Sequence, residues 1–228
     1  MGDRVVAITG AFGVLGSAVA KRAAASGARV ALIDFAPAPV GPVPDGALLL
    51  GGVDLTDPAQ ATQALDAAAE KFGGVDALVN VAGGFRWETL EEGSPESWSG
   101  LYRMNVLTTA NASRAALRHL RKSGSGRIVN VGANGAVKSA MGMGAYAASK
   151  AGVHRLTESL AEELKGDGVT VNAVLPSIID TPTNRADMPD ADPSKWVAAD
   201  DLAAVILFLA SEEARAVTGA LVPVTGKM

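Results

Sequence analysis

Thr9-Gly10-Ala11-Phe12-Gly13-Val14-Leu15-Gly16 follows directly on the apolar run Arg4–Thr9 and opens a stretch, Val14–Ala25, with apolar residues at helical spacing. The run before the glycines is too short for a helix, so it reads as a strand buried on both faces. The stretch after them stops at Ser26-Gly27, where glycine supplies a left-handed cap. Between strand and helix, Gly10, Gly13 and Gly16 let the backbone turn tightly and approach a diphosphate, whose charge a helix amino terminus favours. Phe12, Val14 and Leu15 complete the frame of such a site. A tight turn without a ligand makes the same demand on glycine, and the residues further along decide between the two.

Asp34 ends the next apolar run, Arg29–Ile33, eighteen residues after Gly16. That is close to the spacing of about 20 expected for an acid on a nucleotide ribose. A carboxylate there accepts from both ribose hydroxyls and repels a 2′-phosphate, and Phe35 and Ala36 follow it rather than an arginine. NAD(H) is therefore expected in preference to NADP(H). Asp54, with Leu55 behind it, closes a third run and either reaches an adenine amino group or caps the following turn. Asn80-Val81-Ala82-Gly83-Gly84 ends a fourth with small residues, leaving room for a ribose or flat ring beside Asn80, Ala82 and Gly83.

The remaining chain continues the alternation. Strands are expected at Ala47–Val53, Val75–Val81, Arg127–Val131, Thr170–Leu175 and Ala220–Val224. Asp57-Pro58 and Ser94-Pro95-Glu96 read as helix starts. One long helix is expected over about 97–122, another from Tyr146 to about Leu164, and a last one over Asp200–Ala210. Pro37, Pro39, Pro42 and Pro44 make 35–46 a loop. Seven strands with intervening helices predict an α/β fold, a single Rossmann-type doubly wound parallel sheet with helices on both faces. No repeat or composition shift marks a second domain, so 1–228 is read as one nucleotide-binding domain with a short substrate loop at about 182–198.

Composition narrows the function classes. The net charge of −4 gives no reason to expect nucleic acid or anionic lipid as a partner. The absence of cysteine excludes disulfides, thiolate zinc sites and a cysteine nucleophile, and two histidines are too few for a His-rich site, so no metal is expected. The apolar runs fall short of a membrane span, and a strand begins almost at once after Met1, so a cytoplasmic location is expected.

Tyr146 and Lys150, in Tyr-Ala-Ala-Ser-Lys, stand four residues apart on one expected helix face. A phenol with a pKa near about 10 is a poor acid–base group at neutral pH. A neighbouring ammonium, helped by the positive charge of an oxidised nicotinamide, is expected to lower it.

With these motifs in place, the whole chain resembles the short-chain dehydrogenases/reductases. By that resemblance Tyr146 is the acid–base residue, and Lys150 binds ribose and tunes it. Asn105, in Tyr102-Arg103-Met104-Asn105-Val106, maintains a water-linked proton relay. Thr181 holds the nicotinamide carboxamide after the Pro176 turn, with Ile179 beside it. A homodimer or homotetramer paired through the Asn105 and Tyr146 helices is implied as well. Two departures stand out. Val14 replaces the middle glycine of the family turn, and Ala133 occupies the position thirteen residues before the tyrosine where the family carries a serine. A positioned oxyanion donor is worth roughly 10²–10³ in rate; Asn134 and Ser139 are the candidates to replace it. Dihydropteridine reductases similarly have Gly-Ala there, Val-Ala-Gly-Gly after the fourth strand, and much of the Asp180–Trp196 pattern. The resemblance thus implies an oxidoreductase of a carbonyl, alcohol or related substrate, with a quinonoid pterin as the alternative. A nucleotide-binding sensor that has lost catalysis is the reading of a different class.

For the substrate side, Phe85, Arg86 and Trp87 follow the fourth strand at the sheet's carboxyl edge, and Asn134, Met141, Met143, Ile178 and Trp196 are further candidates for walls. Ordinary loop packing is the competing reading for each. His154 is read as a helix-packing or interface residue and His119 as a solvated helix end.

Overall fold

The computed structural model describes residues 1–227. In chain order the strands are β1 Val5–Thr9, β2 Arg29–Ile33, β3 Leu48–Leu50, β4 Ala77–Asn80, β5 Arg127–Val131, β6 Thr170–Pro176, β7 Ile179–Asp180, β8 Val197–Ala198 and β9 Leu221–Val224. The helices are α1 Val14–Ala25, α2 Pro58–Phe72, α3 Pro95–Tyr102, α4 Thr108–Ser123, α5 Gly144–Glu163, α6 Pro182–Asp187 and α7 Ala199–Leu209. Seven strands form one parallel sheet in the order β3-β2-β1-β4-β5-β6-β9, while β7 and β8 pair separately. The expected Rossmann-type sheet is therefore present. Its strand order reverses between β1 and β4, which opens a crevice at their carboxyl ends.

Alternation along β1 shows how both faces are used. Val6 and Ile8 pack with Leu15, Val19, Leu202 and Ile206 of α1 and α7. Val5 and Ala7 pack on the other face with Leu65, Leu120 and Leu164. With helices on both sides, every residue of the strand is buried, and the sequence there is uniformly apolar until Thr9.

The caps follow the sequence signals. Asp57 accepts from the Ala59 N–H at 2.8 Å ahead of Pro58, and Gly73, at φ 86°, ends α2. Ser94 accepts from the Ser97 N–H at the start of α3. The long helix expected from 97 to 122 is interrupted: α3 ends at Tyr102, a π turn spans Arg103–Leu107, and α4 begins at Thr108. The Thr108 and Thr109 hydroxyls donate back to the carbonyls of Met104 (2.6 Å) and Asn105 (2.8 Å), satisfying groups that the wider turn releases. The expected polar loop after β6 is also more ordered than its composition suggests, holding β7, α6, a 3₁₀ turn at Pro193–Lys195 and β8. Among the described residues no helix is long and apolar enough to cross a membrane, and no cluster of three His, Asp or Glu residues is arranged to hold a metal.

Candidate active site

Gly10 lies at φ +62°, and a Cβ there would stand 2.7 Å from the Ala82 backbone nitrogen of the neighbouring strand exit. A Cβ on Gly16 would overlap the Gly10 carbonyl oxygen. These two glycines are demanded by the protein itself. Gly13 is different: its φ is −75°, and a Cβ would meet only the Gly10 oxygen, at 3.5 Å. Gly16→Ala is therefore expected to destabilise the fold by about 1–3 kcal/mol through overpacking. Gly13→Ala should melt within about 0.5 kcal/mol of the parent. A denaturant melt beside a nucleotide-binding titration separates the two; a Gly13 variant that unfolds as readily as the Gly16 variant contradicts this division.

Gly13 is the N-cap of α1, with no side-chain cap and no acid in the first turn, so that helix end is available to an anion. Asp34 anchors the turn. Its Oδ2 accepts from the Phe12 N–H at 2.8 Å and its Oδ1 from the Ala36 N–H at 2.9 Å, which fixes the carboxylate beside the turn.

A cleft of about 810 Å³ runs along this edge. Of the expected nucleotide residues it is lined by Gly10, Phe12, Gly13, Val14, Leu15, Gly16, Asp34, Asp54, Leu55, Ala82, Gly83 and Thr181. Asp54 lines the wall, and its Oδ1 accepts from the Thr56 N–H at 2.8 Å, the turn-capping role expected of it. Thr181 meets the wall while its hydroxyl caps α6 through the Asn184 N–H at 3.1 Å. Five expected residues do not line the cleft. Asn80 is buried beneath it, bonded to Asn130 and Ser113. Pro176 is buried at the end of β6, and Ile179 is half-buried against the core. From α5, Lys150 approaches Gly83 of the cleft wall, while Tyr146 contacts Phe85, which follows the wall residues of the β4 exit. Phe35, Ala36, Arg103, Met104 and Thr108 also line the cleft and were not among the expected residues. Their only signal was adjacency to Asp34 and Asn105.

Gly83 gathers the polar group. A Cβ on it would stand 2.5 Å from Asn105 Oδ1 and 3.4 Å from Lys150 Nζ, so glycine lets both approach the strand exit. Asn105 sits in the π turn and is 1% exposed. Its Oδ1 accepts from the Gly84 N–H at 2.9 Å, and its Nδ2 donates to Gly84 O and to Ser149 Oγ. Lys150 is buried and donates to Val131 O at 2.8 Å. Tyr146 meets the Phe85 ring edge-on, with centroids 4.8 Å apart at 84°.

The charge balance runs against the expectation from spacing alone. Burial pushes the Tyr146 phenol up to about 12, and burial pulls the Lys150 ammonium down to about 8. In the protein by itself burial alone sets the direction for Tyr146, and the Lys150 ammonium is engaged with Val131 O.

On the substrate edge, Trp87 is half exposed and lies against Gly142, whose carbonyl accepts from the Glu88 N–H at 2.9 Å. Arg86 donates to Ser97 Oγ at 2.9 Å. Segment 85–88 is thus tied at three points across the mouth of the Tyr146 region. Asn134 is exposed at the start of a 3₁₀ turn, and Met141 is 79% exposed. Ser139 is exposed and donates to Ala140 O. Trp196 is not brought to the cleft: it is 7% exposed, beneath Gly226. A large apolar side chain next to β8 is buried there and kept out of the cleft wall. His154 is buried and its Nε2 accepts from the Ala133 N–H, while His119 is bonded to Asp66 rather than free at a helix end.

Comparison with known proteins agrees with this geometry. A sequence model for the short chain dehydrogenase family matches residues 4–192. The chain is 31% identical over 252 residues to a D-beta-hydroxybutyrate dehydrogenase of Rhizobium meliloti, covering 98% of this chain and 97% of that one. It is 34% identical over 239 residues to a 3-oxoacyl-(acyl-carrier-protein) reductase of Vibrio cholerae, covering 99% and 97%. Among solved structures it is similar to a 3-ketoacyl-(acyl-carrier-protein) reductase from Brucella melitensis complexed with NADH, with a TM-score of 0.89, 30% identity and coverage of 100% and 99%.

Proposed function

The chain belongs to the short-chain dehydrogenase/reductase family and is an NAD(P)-dependent oxidoreductase acting on a carbonyl or alcohol; on that premise we propose that it works with NAD(H) on a small ring-containing or otherwise apolar ketone or alcohol, with Tyr146 as its acid–base residue. The observation that carries the proposal is the joining of the nucleotide cleft to the Asn105–Gly83–Lys150 cluster at one strand exit.

The residues present fit a dinucleotide. The uncapped start of α1, the turn in which Gly16 already touches Gly10, and the open Gly13 suit a diphosphate. Asp34, held by two backbone amides, suits ribose hydroxyls and disfavours a 2′-phosphate. Asp54 and Leu55 suit the adenine end. Ala82, Gly83 and Thr181, which line the cleft, suit the nicotinamide end, with Asn80 buried beneath them and Pro176 and Ile179 outside the lining. When bound, nicotinamide supplies or accepts the hydride.

The rest falls to this chain. Tyr146 passes a proton to or from the substrate oxygen. Lys150 holds positive charge within the same pocket, and Asn105 keeps the π turn open to a water relay. Phe85 and Trp87 narrow the mouth with apolar surface, and Asn134 and Met141 complete the substrate side. The whole chain serves as one nucleotide-binding domain, with 182–198 as a substrate loop anchored by buried Trp196. A homo-oligomer paired through α4 and α5, and a cytoplasmic location, belong to the same proposal.

A second reading rests on Ala133. A buried methyl donates nothing to a developing oxyanion, so a quinonoid ring that already accepts hydride readily, as in the dihydropteridine reductases, needs less from that position. The intact Tyr146, Lys150 and Asn105 set speaks against a non-catalytic sensor.

Both readings are tested by following NADH oxidation with ethyl acetoacetate, butane-2,3-dione, cyclohexanone, a naphthoquinone and quinonoid dihydropterin. Turnover of a simple ketone is expected, and turnover of the pterin alone moves the assignment to the second reading. NADH should bind at least about tenfold more tightly than NADPH, since an unfavourable charge contact of about 1.4 kcal/mol corresponds to that factor. Tighter binding of NADPH contradicts the role given to Asp34.

A further inference from the structure

The pairing of β5 with β6 stops at Val131–Val174, and the backbone groups of the two peptide units beyond it are held in three different ways. Val131 O accepts from Lys150 Nζ at 2.8 Å, and the Gly132 N–H still donates to Val174 O at 2.9 Å. The Ala133 N–H donates to the ring of His154, at Nε2, 3.3 Å away. His154 is 3% exposed and sets its Nε2 edge against Gly132, where a Cβ would stand 2.6 Å from Nε2 and 2.6 Å from Leu175. The imidazole fills space that a side chain on residue 132 would otherwise take. It also replaces the strand partner that Ala133 lacks.

We propose that His154 is a positioning residue for the reaction, its unprotonated ring holding the Ala133–Asn134 segment in place at the head of β5. The proposal rests on the oxidoreductase reading above, because that segment runs from the Lys150-bound Val131 to Gly135, which is backed by Met143 at the start of α5. It occupies the place from which a donor to the substrate oxygen is expected. With alanine at 133, the segment's backbone and Asn134 carry that duty, and their placement depends on the hydrogen bond to His154.

Only an unprotonated Nε2 accepts, so protonation turns an acceptor into a donor facing another donor. Burial first, and then Arg155 and Lys150 on the same helix, hold His154 below its ordinary value of 6.5. The strands facing the ring contribute Gly132, Ala133 and Leu175, none of them charged. Ala133 is therefore held at neutral pH and released in acid.

The experiment uses ¹⁵N-labelled protein, with His154→Gln retaining an acceptor that does not titrate and His154→Leu removing it. In the parent, the Ala133 amide shift should inflect below pH 6.5, the ordinary value for the ring. In His154→Gln the inflection disappears, while amide protection and the kcat for ethyl acetoacetate with NADH stay within about threefold of the parent. In His154→Leu, Ala133 exchange speeds up at least about tenfold and kcat falls about 10²-fold, the scale of a 1 Å misplacement, with the KM for NADH nearly unchanged. Unchanged Ala133 protection in His154→Leu overturns the proposal, and so does equal loss of kcat in both variants. Should His154→Leu fail to fold, His154→Gln decides alone: a persisting inflection or a collapsed kcat overturns the proposal. If the parent turns over none of the ketones, the failure lies with the functional reading, and the amide data still decide the role of His154.

Discussion

Replacing Tyr146 by Phe is expected to lower ketone turnover by about 10²–10⁴-fold, the usual contribution of a positioned acid–base group. NADH binding should remain within about threefold of the parent. The structure makes this a clean substitution. Tyr146 contributes its ring edge-on to Phe85, and a phenylalanine keeps that contact. No described protein group is hydrogen-bonded to the phenol oxygen, so no partner is left unsatisfied and the melting point should move little. Steady-state kinetics beside a nucleotide titration checks both halves. Turnover within tenfold of the parent removes Tyr146 from the mechanism.

Lys150→Met is the second large effect, and it divides activity from stability. Lys150 is buried, its ammonium held at about 8 instead of the ordinary 10.5 by desolvation. The unfolded chain therefore binds a proton more readily than the folded one between those values, and the parent becomes more stable as pH rises from about 8 to about 10.5. Below pH 8 the folded protein carries the full penalty, on the order of 3 kcal/mol by the usual conversion, partly offset by the bond to Val131 O. Methionine fills similar volume without the charge. The variant is expected to be inactive by about 10²-fold or more, yet more stable than the parent at pH 7, with the gap closing as pH approaches 10.5. Urea melts at pH 7 and pH 10 measure this. A variant less stable than the parent at pH 7, with a gap that does not change with pH, contradicts the assignment of a buried charge.

The frame of the molecule was legible because its signals are local and redundant. Arg4–Thr9 is apolar throughout since helices cover both faces, Asp57-Pro58 carries its own cap, and the glycine turn stands between a strand and a helix. The same holds for the residues lining the cleft, which cluster at strand ends that the topology brings together. The π turn at Arg103–Leu107 was not legible from apolar spacing, which runs on through it. Its trace was the Thr108-Thr109 pair, whose hydroxyls return to the opened carbonyls. The segment after β6 read as polar loop because β7, α6 and β8 are each too short to show a period. Trp196 read as a pocket wall because an aromatic near a loop carries no mark of which way it faces, and packing turned it inward.

Burial is what spacing alone does not report, for the phenol and for His154 alike. Spacing places Lys150 near Tyr146 and His154 one turn further on, but it does not report how deeply each is buried. For Tyr146 burial decides the direction of the shift. For His154 it places the ring against the sheet, in keeping with the helix-packing reading.

The account turns on Tyr146 becoming an effective acid–base group once nucleotide is in place. The chain has two tyrosines, and Tyr102 is half exposed, so Tyr102→Phe leaves a single phenol to follow by tyrosinate absorbance. Without nucleotide that phenol should ionise near pH 12. With saturating NAD⁺ the inflection should fall by about two to three units, the scale of a nearby opposite charge. An inflection that stays where it was when NAD⁺ is bound would contradict the assignment.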